Sequence, residues 1–268
     1  MSELPACIAA CADRWFLRLG PAYDQSYVSV VFPATLPDGR PAVLKIQFPH
    51  RESQFEAEAL RRWNGNGAVQ LIDHDSGRCA LLIERCDPGH HLSTADPGEA
   101  LDVMTGLLSR LWVDAGEPFT SLCDEASAWS ADLPQSWERA GRPFEKQLLD
   151  TALESLDMLA RSQGRQVLIH QDLHGDNVLR AERQPWLVID PKPLTGEREF
   201  GLSPIIRSNE FGHSRKQVVD RLNRLAGALS LDRERARLWC FAQTLAWAFE
   251  GESANPRHIE TARWLWQA

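Results

Sequence analysis

Apolar positions in the first third of the chain follow a strand-like rhythm, and further on they recur every three or four residues. Tyr27–Phe32 is a run of β-branched and aromatic residues. Ala42–Phe48 alternates, with Ala42, Leu44, Ile46 and Phe48 on one face and Val43, Lys45 and Gln47 on the other. Between them, Leu36-Pro37-Asp38-Gly39 combines a residue that fixes φ early with a pair that tolerates reversal, so the two runs are expected to form a hairpin. Glu52–Trp63 has helical composition and meets a stop signal at Asn64-Gly65. Val69–Ile72 and Cys79–Glu84 read as strands flanking a turn at Asp73–Gly77.

Past Asp87-Pro88-Gly89 the period changes. Leu101, Met104, Leu107, Leu108 and Leu111 share one helical face, as do Leu149, Ala152, Leu153, Leu156 and Leu159. Further helices are expected over Val218–Leu229, Asp232–Phe249 and Ile259–Trp266. Short strands at Gln166–Ile169, Asn177–Arg180 and Trp186–Ile189 interrupt this helical part. The pattern predicts an α+β protein with a β-rich part over residues 1–86 and a mainly helical part over 87–268.

Composition narrows this only a little. The 268 residues are 43% hydrophobic and 25% charged, ordinary for a soluble globular chain. No apolar run is long enough to span a bilayer, and the N-terminus, with Glu3 and Asp13 and no basic start, reads as mature protein. Six cysteines without C-x-x-C spacing are expected to be reduced thiols in a cytoplasmic protein. A net charge of −8 argues against a nucleic-acid partner and is compatible with a cationic small molecule.

The chemistry concentrates between His170 and Asp190. His170-Gln171-Asp172-Leu173-His174-Gly175-Asp176-Asn177 follows one apolar strand, and Asp190 ends the next, Trp186–Ile189. Phosphoryl transfer needs a group at the attacking hydroxyl, hard oxygen ligands for Mg²⁺ and a cation on the nucleotide phosphates. Asp172 suits the first role, and Asn177 and Asp190 suit the second. A different reading groups His170, Asp172, His174, Asp176 and Asp190 as ligands of a zinc or manganese hydrolase. That reading leaves Lys45 and the two-part organisation without a task.

The spacing H-x-D-x-x-x-x-N, followed by an apolar strand and Ile189-Asp190, resembles the core of the aminoglycoside phosphotransferases and their protein-kinase-like relatives. The stretches Arg62–Leu71 and Ile189–Glu197 resemble the streptomycin 6-phosphotransferase branch, the aminoglycoside/hydroxyurea antibiotic resistance kinases. The resemblance implies a bilobal protein-kinase-like fold, ATP and Mg²⁺, and a small hydroxylated acceptor, first of all a cationic aminoglycoside. It implies a monomer or weak dimer.

Carried over by the same resemblance, Asp172 orients or deprotonates the acceptor hydroxyl, Asn177 and Asp190 hold metal, and His170 braces the loop. Lys45 matches the lysine on the nucleotide phosphates, with Glu56 as its carboxylate and Glu58 as the alternate. Leu81–Arg85, with Glu84, matches the segment that meets adenine. The Tyr23–Ser29 segment lacks the glycines of a phosphate-cradling loop, and Ser26 and Ser29 stand in as donors. Gly201 replaces an Asp with which many relatives brace the catalytic loop. Glu250 and Glu252, with Trp247 near the end of an expected helix, are candidates for binding a cationic substrate; an ordinary amphipathic helix end reads equally well there.

Overall fold

The computed structural model describes residues 4–24, 29–51 and 54–268. Helix α1 (Leu4–Arg14) opens the chain, followed by strands β1 (Arg18–Leu19), β2 (Ser29–Thr35) and β3 (Pro41–Gln47). Helix α2 (Glu56–Trp63) leads to β4 (Leu71–Asp75) and β5 (Ala80–Glu84). The five strands make one antiparallel sheet in the order β1-β2-β3-β5-β4. Glu3, Ser26, Tyr27 and Glu52, named above, lie outside the described residues.

The expected hairpin joins β2 to β3. Leu36 N–H bonds the Arg40 carbonyl, and Gly39 takes a φ of +89°, which a side chain would resist. The expected turn at Asp73 starts later, because Asp75 accepts the Arg78 N–H and caps a 3₁₀ turn over Ser76–Arg78. Ala42, Leu44 and Ile46 on one face of β3 pack with Cys11 and Trp15 from the α1 end and with Ala34, Leu36, Ala80 and Leu82. Phe48, expected on that face, lies past the end of β3 and is exposed.

Next come α3 (Pro97–Leu111), β6 (Thr120–Ser121), α4 (Leu122–Arg139), α5 (Lys146–Arg161) and β7 (Gln166–Ile169). Asp96 caps α3 by accepting the Gly98 and Glu99 N–H groups. After the loop 170–177 follow β8 (Val178–Arg180), β9 (Trp186–Val188), β10 (Leu194–Glu197) and α6 (Ser203–Arg207). The chain ends with α7 (Arg215–Ala228), α8 (Arg233–Ala246), the small hairpin β11 (Phe249–Glu250) and β12 (Ser253–Ala254), and α9 (Pro256–Trp266).

Two compact units result, Met1–His90 with Leu179–Lys192, and His91–Val178 with Pro193–Ala268. Backbone bonds tie the later segment to the first unit: Val69 N–H to Val188 O at 3.1 Å and Val188 N–H to Gly67 O at 2.9 Å. Arg183 reinforces this by donating to the carbonyls of Gly65 and Ala68 and to both Glu84 oxygens. The second unit is built around α8, where Trp239 to Leu245 are buried without interruption. Its small sheet has β10 at the centre, antiparallel to β7 and parallel to β6. No helix among the described residues is long and apolar enough to cross a membrane.

Candidate active site

In the first unit, β3 turns Lys45 away from the α1 core, and the residue is only 6% exposed. Its Nζ donates to Glu56 Oε2 at 2.7 Å and to Asp190 Oδ1. Glu56 opens α2, where the helix dipole favours a carboxylate. The same Oε2 accepts from Gln47 Nε2 at 2.5 Å, whereas Oε1 is buried without a partner. The alternate, Glu58, is exposed and pairs with Arg61. Burial opposes the ammonium of Lys45, but the fields and hydrogen bonds of Glu56 and Asp190 outweigh it and raise its pKa above the usual lysine value. Burial also pushes Glu56 up, against the pull of Lys45.

Asp190 follows β9 with φ at +57°, a left-handed conformation that costs a non-glycine residue about 1 kcal/mol. The backbone pairing of Val188 fixes where β9 ends, and so delivers Asp190 to Lys45. With one oxygen on Lys45, its side chain is still 42% exposed. Ser29 starts β2 opposite Gln47 and is buried. Glu84 ends β5. Its N–H bonds Gln70 O at 2.9 Å, one carboxylate oxygen accepts from Gln70 N, and both accept from Arg183. These groups stitch β5 to its neighbours.

In the second unit, β7 runs into His170 and Gln171, both buried, and Gln171 makes the turn with φ at +61°. Asp172 N–H bonds back to the His170 carbonyl at 2.8 Å. Asn177 donates its Nδ2 to the Asp172 carbonyl at 2.9 Å. That bond orients the amide with its carbonyl oxygen as the remaining acceptor, the hard ligand type that Mg²⁺ takes.

The intervening loop is pinned from two sides. Glu210 accepts from His174 Nδ1 at 2.8 Å and from Gly175 N–H at 2.5 Å. Asp176 accepts from Ser93 Oγ through its side chain, and its carbonyl meets His91 Nδ1 at 2.8 Å. Burial works against a charged His174, but Glu210, Asp172 and Asp176 outweigh it and raise its pKa. His174, Asp176 and Glu210 bring potential ligand atoms within 4.8 Å of one another. This trio leaves out His170 and Asp172, which the hydrolase reading needs, and its atoms are already engaged in holding the loop.

Three residues of this region escaped the sequence reading. Buried Arg221 donates to the carbonyls of Ile206, Ser208, Phe211 and Gly212, which shapes the turn carrying Arg207 and Glu210. Burial lowers its pKa to about 10. Arg207 is 8% exposed and lies with its guanidinium 4.4 Å from the Trp247 ring centre. It donates to Gln243 Oε1 and stands 3.9 Å from Asp172 Oδ1. Glu210 is the third, and it ties down the loop through His174 and Gly175. A side chain at Gly201 would press on the Trp112 indole at 3.1 Å. The sequence did hold one hint of Arg207, a lone cation ending the apolar run Pro204-Ile205-Ile206, the same sign that exposed Lys45.

The helix expected to end near Glu250 and Glu252 stops earlier. Helix α8 stops at Ala246, and both acids lie exposed on the β11–β12 hairpin, which turns at Gly251 with φ of +60°. Trp247, named with them as part of a cation site, carries the protein's own Arg207.

Comparison with known proteins decides the family. The model of the aminoglycoside/hydroxyurea antibiotic resistance kinases matches residues 14–254. The chain belongs to this family. A hydroxyurea phosphotransferase of Kitasatospora aureofaciens is 40% identical over 98% of this chain and 78% of its own length. A streptomycin 6-kinase of Streptomyces griseus is 38% identical over 91% of this chain and 82% of its own. Among solved structures, the choline kinase LicA of Streptococcus pneumoniae superposes with a TM-score of 0.70 at 11% identity, covering 99% of this chain and all of the other. The fold of this resistance-kinase family member is therefore protein-kinase-like, as its sequence led one to expect, and the enzyme is a phosphotransferase with a hydroxyl acceptor.

Proposed function

We propose that this kinase transfers the γ-phosphoryl group of ATP, with Mg²⁺, to a hydroxyl of a small antibiotic-type molecule. The observation that carries the reading is the buried Lys45 held between Glu56 and Asp190. A lysine enclosed in this way is a fixed cation, suited to phosphate oxygens. The first unit then serves the nucleotide, with Ser29 on the adjacent strand opposite Gln47, two residues along β3 from Lys45, and the second serves the acceptor. Asn177 in the second unit and Asp190 in the first are each carried over as candidate Mg²⁺ ligands, and the oxygen donor of each suits that ion. When bound, the metal supplies charge neutralisation at the phosphates.

Asp172 positions the acceptor hydroxyl and takes its proton. The hydroxyl oxygen forms the new bond to the γ-phosphorus while the bond from that phosphorus to the β,γ-bridging oxygen breaks. The bonding electron pair leaves with ADP. The relatives are named for two acceptors, streptomycin and hydroxyurea, and both are candidates here. A cytoplasmic workplace suits an ATP-consuming enzyme with six free thiols.

The test is ADP release with each compound, on wild type, Asp172→Asn and Lys45→Met. Each variant is expected to lose about 10²- to 10⁴-fold in kcat/KM with its thermal unfolding still cooperative. A folded Asp172→Asn protein that turns over like wild type would remove Asp172 from its role.

A further inference from the structure

The two acceptors named for the relatives differ in charge, and the ground beside Asp172 distinguishes them. Arg207 sets a cation beside that carboxylate, with Nη2 3.9 Å from Oδ1. It is not a side chain that swings. Trp247 stacks on it at 4.4 Å, Gln243 accepts from it, and the helix end that bears it is clamped by Arg221. Its charge is felt around it, since it acts with burial to push His258 down to about 4. Gln243, whose Oε1 accepts from the same guanidinium, is fully buried, and its amide nitrogen has no partner.

An aromatic face, a carboxylate and an amide oxygen are what a protein offers to a guanidinium-bearing ligand. Here the protein's own arginine takes all three. We infer that Arg207 is a specificity-determining residue: it admits to Asp172 a small uncharged acceptor whose carbonyl oxygen takes a hydrogen bond from the guanidinium, and it excludes acceptors carrying a cation next to the reactive hydroxyl. The exclusion is like-charge repulsion in a poorly solvated place, and the admission is a charge-assisted hydrogen bond. The inference rests on the phosphotransfer reading, in which Asp172 meets the acceptor.

The experiment measures kcat and KM by ADP release for hydroxyurea, an uncharged carbonyl compound with an N–OH group, and for streptomycin, a polycation. Wild type, Arg207→Gln and Arg207→Lys are compared, with melting temperature as a check on folding. Wild type is expected to prefer hydroxyurea by at least 100-fold in kcat/KM. Arg207→Gln should raise the hydroxyurea KM at least tenfold and narrow the preference. Arg207→Lys keeps the charge but loses the planar fork, so it should raise that KM while still rejecting streptomycin. Such a split between the two variants would not arise from a merely structural role. Wild type turning over streptomycin as well as hydroxyurea, or a preference unchanged in Arg207→Gln, overturns the inference and leaves the kinase standing. Turnover of neither compound, with ADP still bound in calorimetry, overturns the choice of acceptors beneath it.

Discussion

At the residue scale, the groups that were legible in the sequence were those whose chemistry conflicts with their surroundings. Lys45 stands among Ala42, Leu44 and Ile46, and a cation in such a place needs a reason to be there. The partner could not be read as directly, because Glu56 and Glu58 are equivalent in a helical pattern and only the orientation of α2 separates them. Arg207 carried the same sign as Lys45 and went unread, because no known motif drew attention to it. His258 had no sign at all, and it leads to a prediction. Its Nδ1–H bonds the Trp247 carbonyl at 3.0 Å, and burial, the Arg207 charge and the His213 field hold its pKa near 4. In the unfolded chain it titrates at the ordinary 6.5. Between these values the unfolded state binds a proton that the folded state refuses, so stability falls as pH drops through that window and is unaffected above it. With allowance for partial solvent screening the loss is about 1–2 kcal/mol. Urea unfolding at pH 7 and pH 4.5 should show that much less pH dependence in His258→Gln than in wild type, and equal dependence in the two proteins would disprove the assignment.

At the element scale, elements with strong periodicity were found within a few residues, as Gln166–Ile169 and the helix around Leu149 to Leu159 show. Elements without it were missed. Helix α4 carries Pro134 and a spread of Ser, Ala and Trp that blurs its apolar stripe, and β10 is four residues that include Thr and Gly. The loop 170–177 was legible as chemistry but not as architecture, since the 3₁₀ turn Leu92–Thr94 and the turn at Glu210 that hold it lie far away in sequence. Gly175 sits where they meet. A Cβ there would come within 2.8 Å of Ser93 backbone atoms and 2.7 Å of Glu210. Backbone cannot retreat as a flexible side chain can, so Gly175→Ala is expected to push the loop away from Ser93 at a cost of about 1–3 kcal/mol. Because Asp172 and Asn177 flank the displaced turn, kcat should fall more than tenfold, with nucleotide affinity unchanged. Steady-state kinetics beside ADP calorimetry checks this, and a weakened ADP affinity with unchanged kcat would contradict it.

At the scale of the whole molecule, the chain's path matters more than its elements. The change of period near residue 88 predicts one boundary, yet the first unit is completed by a segment almost ninety residues later, Leu179–Lys192. No local signal marks that return, because β8 and β9 are ordinary short strands and their partners are backbone atoms at Gly67, Val69 and His90. The segment brings Asp190 to Lys45, and it brings Arg183, whose guanidinium closes on Glu84 and two carbonyls. A fragment ending at His90 would lack the bonds of Val188 and Arg183, and it would leave Lys45 and Glu56 as a buried pair without the second carboxylate. Such a fragment is expected to unfold broadly and at lower temperature than one in which residues 179–192 are joined to it by a flexible linker. Calorimetry of the two, with Asp190→Asn in the joined form, separates the contributions. The joined form should regain a sharp transition, and the substitution should lower it again by removing a charge that Lys45 relies on. A fragment ending at His90 that melted as sharply as the joined form would show the returning segment to be a passenger. The same comparison made with Arg183→Ala tells whether the strand pairing or the arginine does the holding, since only the second is lost in that variant.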